Sequence, residues 1–489
     1  MADEQKPTSE PKPPEAANIS DLVVVTQHRA VINGQQIAYT VTTGTIVLKE
    51  EHEKDGTAEG EKPRATIFFV AYTRDDAVAY ERPITFAFNG GPGSSSVWLH
   101  LGLLGPQRVQ FDDEGWPLPP PYRLIENDYS LLDVSDLVFI DPVSTGYSRV
   151  VPGEKPTEFH GFKKDIESVG DFIRLYTTRY RRWGSPKYLA GESYGTTRAA
   201  GLAGYLQERH GMYLNGIMLI SVVLNFQTLE FEHGNDLPYV FFLPTYCATA
   251  WYHRRLAEDL QHDLRTTLHE VERFAYDRYL PALMRGSALD SHERAAIVAA
   301  LARYTGLSAE YIEHSNLRIR DDRFVKQLLR SEQQTVGRLD SRFTGSDRDA
   351  AGERSDYDPS YAAILGPYTA TLHDYLSGAL GYHSDLPYEV LSGRVHPWSY
   401  AEHQNRYVDV GETLRQALAL NPALRIYVAS GYFDLATPHF ATDYTLNQLA
   451  ISAEQRRNVQ VAYYEAGHMM YAHLPSLVRL KADLAQFVR

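Results

Sequence analysis

The chain has 489 residues, a net charge of -14, 43% hydrophobic and 22% charged residues, and one cysteine. This length can bury a large core and has room for two or three domains. The acidic balance argues against nucleic acid and membrane as partners, because both need clustered Lys and Arg. No run approaches the roughly 20 apolar residues of a membrane span.

The opening stretch "MADEQKPTSEPKPPEAANIS" is polar and proline-rich. It lacks the basic start and apolar run of a signal peptide, so residues 1–19 are expected to form a disordered tail, and the chain is expected in the cytoplasm. Next, Ile37–Val41 and Ala65–Tyr72 are read as an antiparallel pair of strands. Short apolar runs follow at Ile84–Phe88, Leu137–Ile140, Tyr188–Ala190, Ile217–Val223, Ile426–Ala429 and Val459–Tyr464. Helical patterns separate them. The clearest places Phe162, Ile166, Val169, Ile173 and Tyr176 on one face. Such alternation implies a mostly parallel sheet covered by helices on both faces. Residues 228–391 break the rhythm with helix-like, aromatic and arginine-rich sequence. They read as a helical cap inserted between residues 20–227 and 392–489. Cys247 lies there and reads as a buried thiol. The cap aromatics Tyr239, Phe241, Phe242, Tyr246, Trp251 and Tyr252 read mainly as core, with a share in a substrate pocket.

Within "KYLAGESYGTTRAAGLAGYL", Gly191, Ser193 and Gly195 form G-x-S-x-G between a strand and a helix rich in small residues. This is the layout of a nucleophile elbow, which presents a serine hydroxyl on a strained corner. The serine needs a base, and the base needs an orienting acid. In this class the acid and then the histidine follow the serine, each just past a strand. Asp434 in "RIYVASGYFDLATP" and His468 in "VQVAYYEAGHMMYAHLP" occupy those places. Glu465, His473, His439 and Asp443 are nearby alternatives that read as solvated or supporting polar residues. A second glycine-rich turn, Asn89-Gly90-Gly91-Pro92-Gly93, follows the strand Ile84–Phe88. Its bare backbone suits an oxyanion hole, with one donor from Gly91 and the other from Tyr194, the residue after the serine.

The motifs "NGGPGSSS", "FIDPVSTGYSRV", "GESYG", "SGYFD" and "AGHMM" resemble those of the serine carboxypeptidases of the cathepsin A and yeast carboxypeptidase type. The likeness is to a disulfide-free, bacterial-like member. It covers residues 84–224 and 426–489 and is weak in the cap. It implies an α/β-hydrolase fold, a Ser193–Asp434–His468 triad, removal of C-terminal residues from peptides, and binding of the substrate carboxylate by Asn89 and Glu192. Glu192 would have to be protonated to donate to a carboxylate. Two departures stand out. Ser94 replaces a cysteine common in the family, and Leu103 stands where a second carboxylate-binding glutamate is expected. Leu103 predicts weak discrimination between a free carboxylate and its amide. Should discrimination be strong, Arg338 or Arg342 would be the first suspect for a replacement.

A serine carboxypeptidase acting on peptides is the favoured reading. The alternative is an esterase or acyltransferase that takes a small acyl substrate on the same triad, and a non-catalytic binding protein ranks third. "HEVER" and "HERAA" lack the second histidine of a zinc motif, and "GPGSSS" lacks the lysine of a phosphate loop. No metal or cofactor is expected. Oligomeric state and side-chain preference are not legible.

Overall fold

The computed structural model describes residues 19–489. The tail expected over residues 1–19 therefore lies, but for Ile19, outside the described residues. Nine strands build the central sheet: β1 (Leu22–Ile32), β2 (Gln35–Lys54), β3 (Thr57–Arg74), β4 (Ile84–Phe88), β5 (Asp136–Ile140), β6 (Lys187–Ser193), β7 (Gly216–Val222), β8 (Arg425–Gly431) and β9 (Val459–Tyr464). Their spatial order is β1-β2-β3-β5-β4-β6-β7-β8-β9, with the short strand Arg149–Val150 added beside β3. The first three strands and β5 pair antiparallel. From β5 to β9 every pairing is parallel. This is the α/β-hydrolase fold.

Side-chain alternation explains why the inner strands are apolar throughout. In β5, Leu137 and Phe139 enter one core cluster while Val138 and Ile140 enter the other. Both faces of these strands are therefore buried, as parallel sheets require. Helix α1 (Phe162–Arg179) seals one face with Ile166, Val169, Phe172, Ile173 and Tyr176. Helix α2 (Tyr194–His210) lies beside it, and its small residues permit close packing. A Cβ on Gly201 would come within 2.2 Å of Ile166 Cδ1. The opposite face is closed by the C-terminal helix Leu474–Val488 through Leu477, Leu480 and Leu484.

Between β7 and β8 the chain departs from the sheet. It forms α3 (Leu237–Tyr252), further helices from Leu264–Phe274 to Pro359–Asp374, and a small hairpin of Gln334–Val336 with Thr344–Ser346. A third apolar cluster unites the helices up to the hairpin with Tyr432, Phe433, Leu435 and Phe440, just beyond β8, while Ile364, Tyr368 and Leu372 of Pro359–Asp374 join the core cluster of the sheet. Strand β1 is an element that the sequence reading did not anticipate. It is an edge strand whose inward face carries the polar Thr26 and His28 beside the buried Ala30 and Ile32, while the apolar Val23, Val25 and Val31 point outward, which blurs the alternation in the sequence. Among the described residues, no helix is long and apolar enough to cross a membrane.

Candidate active site

Ser193 is the last residue of β6, and α2 begins at Tyr194. Its backbone has φ +81°. That is a strained conformation for a side chain with a Cβ and typically costs about 1–3 kcal/mol. The neighbouring glycines make the corner possible. A Cβ on Gly191 would lie 2.1 Å from the Gly195 carbonyl oxygen, and one on Gly195 would lie 2.9 Å from that of Phe88. The second glycine turn presses on the same corner, since a Cβ on Gly90 would sit 2.4 Å from the Tyr194 nitrogen. The two motifs thus interlock backbone to backbone.

Gly91 and Gly93 adopt φ +100° and +105°, values open to glycine. The turn is closed by Ser94 N–H donating to the Gly90 carbonyl at 3.0 Å. Its far end is held by the buried Asp141, which accepts from the Ser96 amide and hydroxyl, each at 2.8 Å. Tyr194 is the first residue of its helix, so its N–H has no intrahelical acceptor. Gly91 makes no backbone hydrogen bond as a donor among the described residues. Both line one cavity of about 990 Å³ together with Ser193, His468, Asn89 and Glu192.

Asp434 and His468 arrive on the loops that follow β8 and β9. Asp434 is fully buried and accepts from the Ala436 and Thr437 amides at 2.8 and 2.9 Å and from the Thr437 hydroxyl at 2.6 Å. His468 Nδ1 lies 2.7 Å from Asp434 Oδ2, so beside the carboxylate this nitrogen carries the proton. Burial disfavours a charged ring, but the Asp434 charge and hydrogen bond outweigh it, and the His468 pKa is raised above the ordinary value. The Ser193 hydroxyl and the His468 ring open onto the cavity with no hydrogen bond between them. Such contacts commonly tighten only when substrate binds. The alternatives are engaged elsewhere. His439 faces Glu272 at 3.3 Å, Asp443 accepts from Tyr463, His473 pairs with Ser476 at 2.8 Å, and Glu465 is exposed.

Asn89 Oδ1 accepts from the Leu99 amide at 3.1 Å, while its Nδ2 is buried without a partner. Its carbonyl takes a hydrogen bond from Arg198, which is itself paired with Asp165 at 2.8 Å. Glu192 is buried, and burial, opposed mainly by the proximity of His468, raises its pKa to about 7. It accepts a 2.6 Å hydrogen bond from the Tyr471 hydroxyl on Oε2. The proton of the neutral acid therefore belongs on Oε1.

Leu103 does not face this group. It is packed in the core and does not line the cavity. Beside it, a Cβ on Gly102 would run into the Tyr368 hydroxyl at 2.4 Å and the Tyr471 ring at 2.5 Å. Tyrosines thus fill the space next to Glu192. Arg338 lines the cavity, whereas Arg342 is withdrawn into a buried pair with Asp340. That removes Arg342 as a substrate contact. Of the six cap aromatics singled out in the sequence, Phe242 lines the cavity, joined there by Phe231 and Tyr361, while Tyr239, Phe241 and Tyr246 are core. Cys247 is free and buried, and burial pushes its thiol well above the ordinary range.

The sequence profile of the serine carboxypeptidases matches residues 48–474. The chain belongs to the serine carboxypeptidase family. Similar curated proteins include serine carboxypeptidase-like 36 of Arabidopsis thaliana, 27% identical over 37% of this chain and 35% of that protein. Pheromone-processing carboxypeptidase KEX1 of Yarrowia lipolytica is 31% identical over 37% of this chain and 26% of that protein. The chain thus matches about a quarter to a third of the length of these family members. A solved structure, the proline iminopeptidase of Mycobacterium smegmatis, aligns over 90% of this chain and 97% of its own at 12% identity and a TM-score of 0.39.

Sequence reasoning missed three contributors. Thr437 shares the Asp434 carboxylate and lies 3.4 Å from His468 Nδ1. Tyr471 follows His468 by three positions, yet its partner is 279 residues away. Asp340, on the hairpin of the inserted segment, accepts from the Gly467 amide next to His468 at 3.1 Å. Only the closeness of Tyr471 to the histidine motif was visible in the sequence. Among the described residues no group of three or more His, Cys, Asp or Glu could hold a metal ion.

Proposed function

We propose that this member of the family is a serine carboxypeptidase, with Ser193 as nucleophile, His468 as general base and Asp434 as its orienting acid. The observation that carries the reading is the 2.7 Å contact of the buried Asp434 with His468, whose ring shares one cavity with the strained Ser193, Asn89 and Glu192. In this mechanism His468 Nε2 takes the Ser193 proton as the oxygen attacks the terminal peptide carbonyl. The Gly91 and Tyr194 amides stabilise the oxyanion, a contribution typically worth about 2.7–4 kcal/mol per donor. His468 then protonates the departing amino acid, and water hydrolyses the acyl-enzyme by the same route in reverse.

The unpartnered Asn89 Nδ2 and the neutral Glu192 Oε1–H are two donors for the C-terminal carboxylate of a peptide. An esterase or acyltransferase reading draws on Glu192 standing, among the described residues, without a second carboxyl beside it, the adjoining space being filled by Tyr471 and Tyr368. The test is a panel of blocked dipeptides, their C-terminal amides and short acyl esters, with fluorophosphonate labelling. Dipeptide hydrolysis above ester hydrolysis, with both turnover and labelling abolished in Ser193→Ala, supports the peptidase. Ester turnover with no dipeptide cleavage moves the assignment to the second reading, and labelling that survives Ser193→Ala removes the triad.

A further inference from the structure

We propose that the hairpin tip Gly337–Arg342, contributed by the inserted segment, is a positioning element for Asp434 and His468, with the buried Asp340–Arg342 pair at its centre. The inference rests on the triad reading above.

The tip joins the paired strands Gln334–Val336 and Thr344–Ser346 and is closed by Gly337 N–H donating to the Phe343 carbonyl at 2.8 Å. It bonds to both loops that carry the base and its acid. On the acid side its contacts bracket Asp434. Leu435 N–H donates to the Arg338 carbonyl at 3.0 Å, and Ser341 N–H donates to the Phe433 carbonyl at 2.9 Å. On the base side, Gly467 N–H donates to Asp340 Oδ2 at 3.1 Å, and His468 N–H donates to the Leu339 carbonyl at 2.6 Å. The same short segment therefore holds the residues flanking one partner and the backbone of the other.

The fit against the base loop leaves no slack. A Cβ on Gly467 would stand 2.4 Å from Asp340 Cβ and 2.5 Å from its Cα. Asp340 also accepts from Arg342 Nε at 3.0 Å, Nη2 at 2.7 Å and the Arg342 amide at 3.1 Å. The tip is anchored in turn to α3, through Ser341 Oγ against Thr249 Oγ1 at 2.6 Å and His253 Nε2 against the Ser341 carbonyl at 2.7 Å. The charged and titratable neighbours are Glu114 near Arg342, His473 beyond it, Tyr252 and His253 on α3, and Asp358 under the Arg338 and Leu339 amides. His468 itself feels Asp434, Glu192 and Arg338. The two loops leave neighbouring strands and meet directly where Phe433 N–H donates to the Ala466 carbonyl at 3.0 Å, and the tip adds the contacts at Leu435, Gly467 and His468 that lie beyond that bond. A triad tolerates little error there, since a displacement near 1 Å can cost about a hundredfold in rate.

The test uses the full chain carrying Asp340→Asn, Gly467→Ala or Arg342→Lys, with kcat, KM, the pH profile of kcat/KM, labelling rate and thermal unfolding measured on each. Asp340→Asn and Gly467→Ala should lower kcat about 10- to 100-fold and leave KM within about threefold. The acid limb should move to lower pH, because a loosened Asp434 contact no longer raises His468 as far. Arg342→Lys keeps the cation and should retain most of kcat. The proposal is overturned if Asp340→Asn and Gly467→Ala fold and keep kcat within about twofold of wild type, or if the loss falls on KM with the acid limb unmoved. Should Asp340→Asn fail to fold, Gly467→Ala decides, since it keeps both charges of the ion pair and presses on Asp340 only through the added methyl. Failure of the triad reading is separately visible, as labelling that persists in Ser193→Ala.

Discussion

The proposed nucleophile and its proposed base are held by different kinds of structure. Ser193 is fixed by backbone meeting backbone, with Gly90, Gly191 and Gly195 packed where no side chain could fit. Asp434 and His468 sit on two loops that depend on side chains and on a hairpin from elsewhere in the chain. Both bring distant segments together, but the first does so through main-chain atoms at two glycine turns, and the second through side chains and loop carbonyls of a separate hairpin. One consequence is that the nucleophile's geometry should survive damage to the base, but the reverse dependence is also worth measuring.

The largest effect should come from the acid. Asp434→Asn leaves the elbow untouched but supplies an amide where His468 Nδ1–H needs an acceptor, and it removes the charge that raises the ring's pKa. In a comparable triad this change lowers kcat by about 10⁴, and a similar loss is expected here with an unchanged unfolding temperature at pH 7. A loss below about tenfold would separate Asp434 from the chemistry.

Glu192 sharpens the comparison, because it lies on the elbow yet is bonded to Tyr471 beside the base. Burial raises its pKa to about 7, so the folded protein holds a proton there that the unfolded chain, near pH 4.5, has already released. Stability linked to this group is therefore complete at low pH and lost as pH rises through about 7. At about 1.4 kcal/mol per pH unit, the ceiling of that loss is about 3 kcal/mol. Glu192→Gln is neutral throughout. Its unfolding free energy relative to wild type should rise between pH 5 and pH 8, measured by denaturant titration at each pH. A flat difference would place the ionisation outside this range.

The smallest effect belongs to Tyr471→Phe, which removes a hydrogen bond linking the elbow side to the base loop. That bond lowers the Glu192 pKa, so its loss should move the Glu192 ionisation upward. The change in kcat/KM for a free-acid dipeptide at pH 6 should stay within about tenfold, the scale of one hydrogen bond to an ionisable group. A larger loss, with the amide substrate equally affected, would mean that Tyr471 supports His468 instead.

This division also explains what could be read in advance. Strands β4 to β9 were visible because burial on both faces forces continuous apolar runs, and the elbow because its glycines are local necessities. Edge strand β1 was missed since it carries apolar Val23 and Val25 on its outward face and polar Thr26 and His28 on its inward one. Leu103 was placed beside the substrate carboxylate by its position relative to Gly105-Pro106. In space it turns into the core, and Tyr471 and Tyr368 occupy the room near Glu192. Arg338 and Arg342 were suspected as alternatives, and the tight tip between them sends the first to the cavity and the second into a buried ion pair. Contacts across 127 residues, such as Gly467 to Asp340, leave no trace in either local sequence.

The interlocked glycines also set how this protein can vary over generations. Any missense change of a glycine codon adds at least a Cβ, and at positions 90, 191 and 195 that carbon has no route to accommodation by a neighbour, because the obstacles are main-chain atoms. Compensating mutations, which act only on side chains, cannot rescue such a change. The hairpin tip faces no such bar, since an acid and a cation can be exchanged together for another complementary pair. Lineages descended from this gene should therefore keep the elbow letter for letter while the clasp drifts in matched steps.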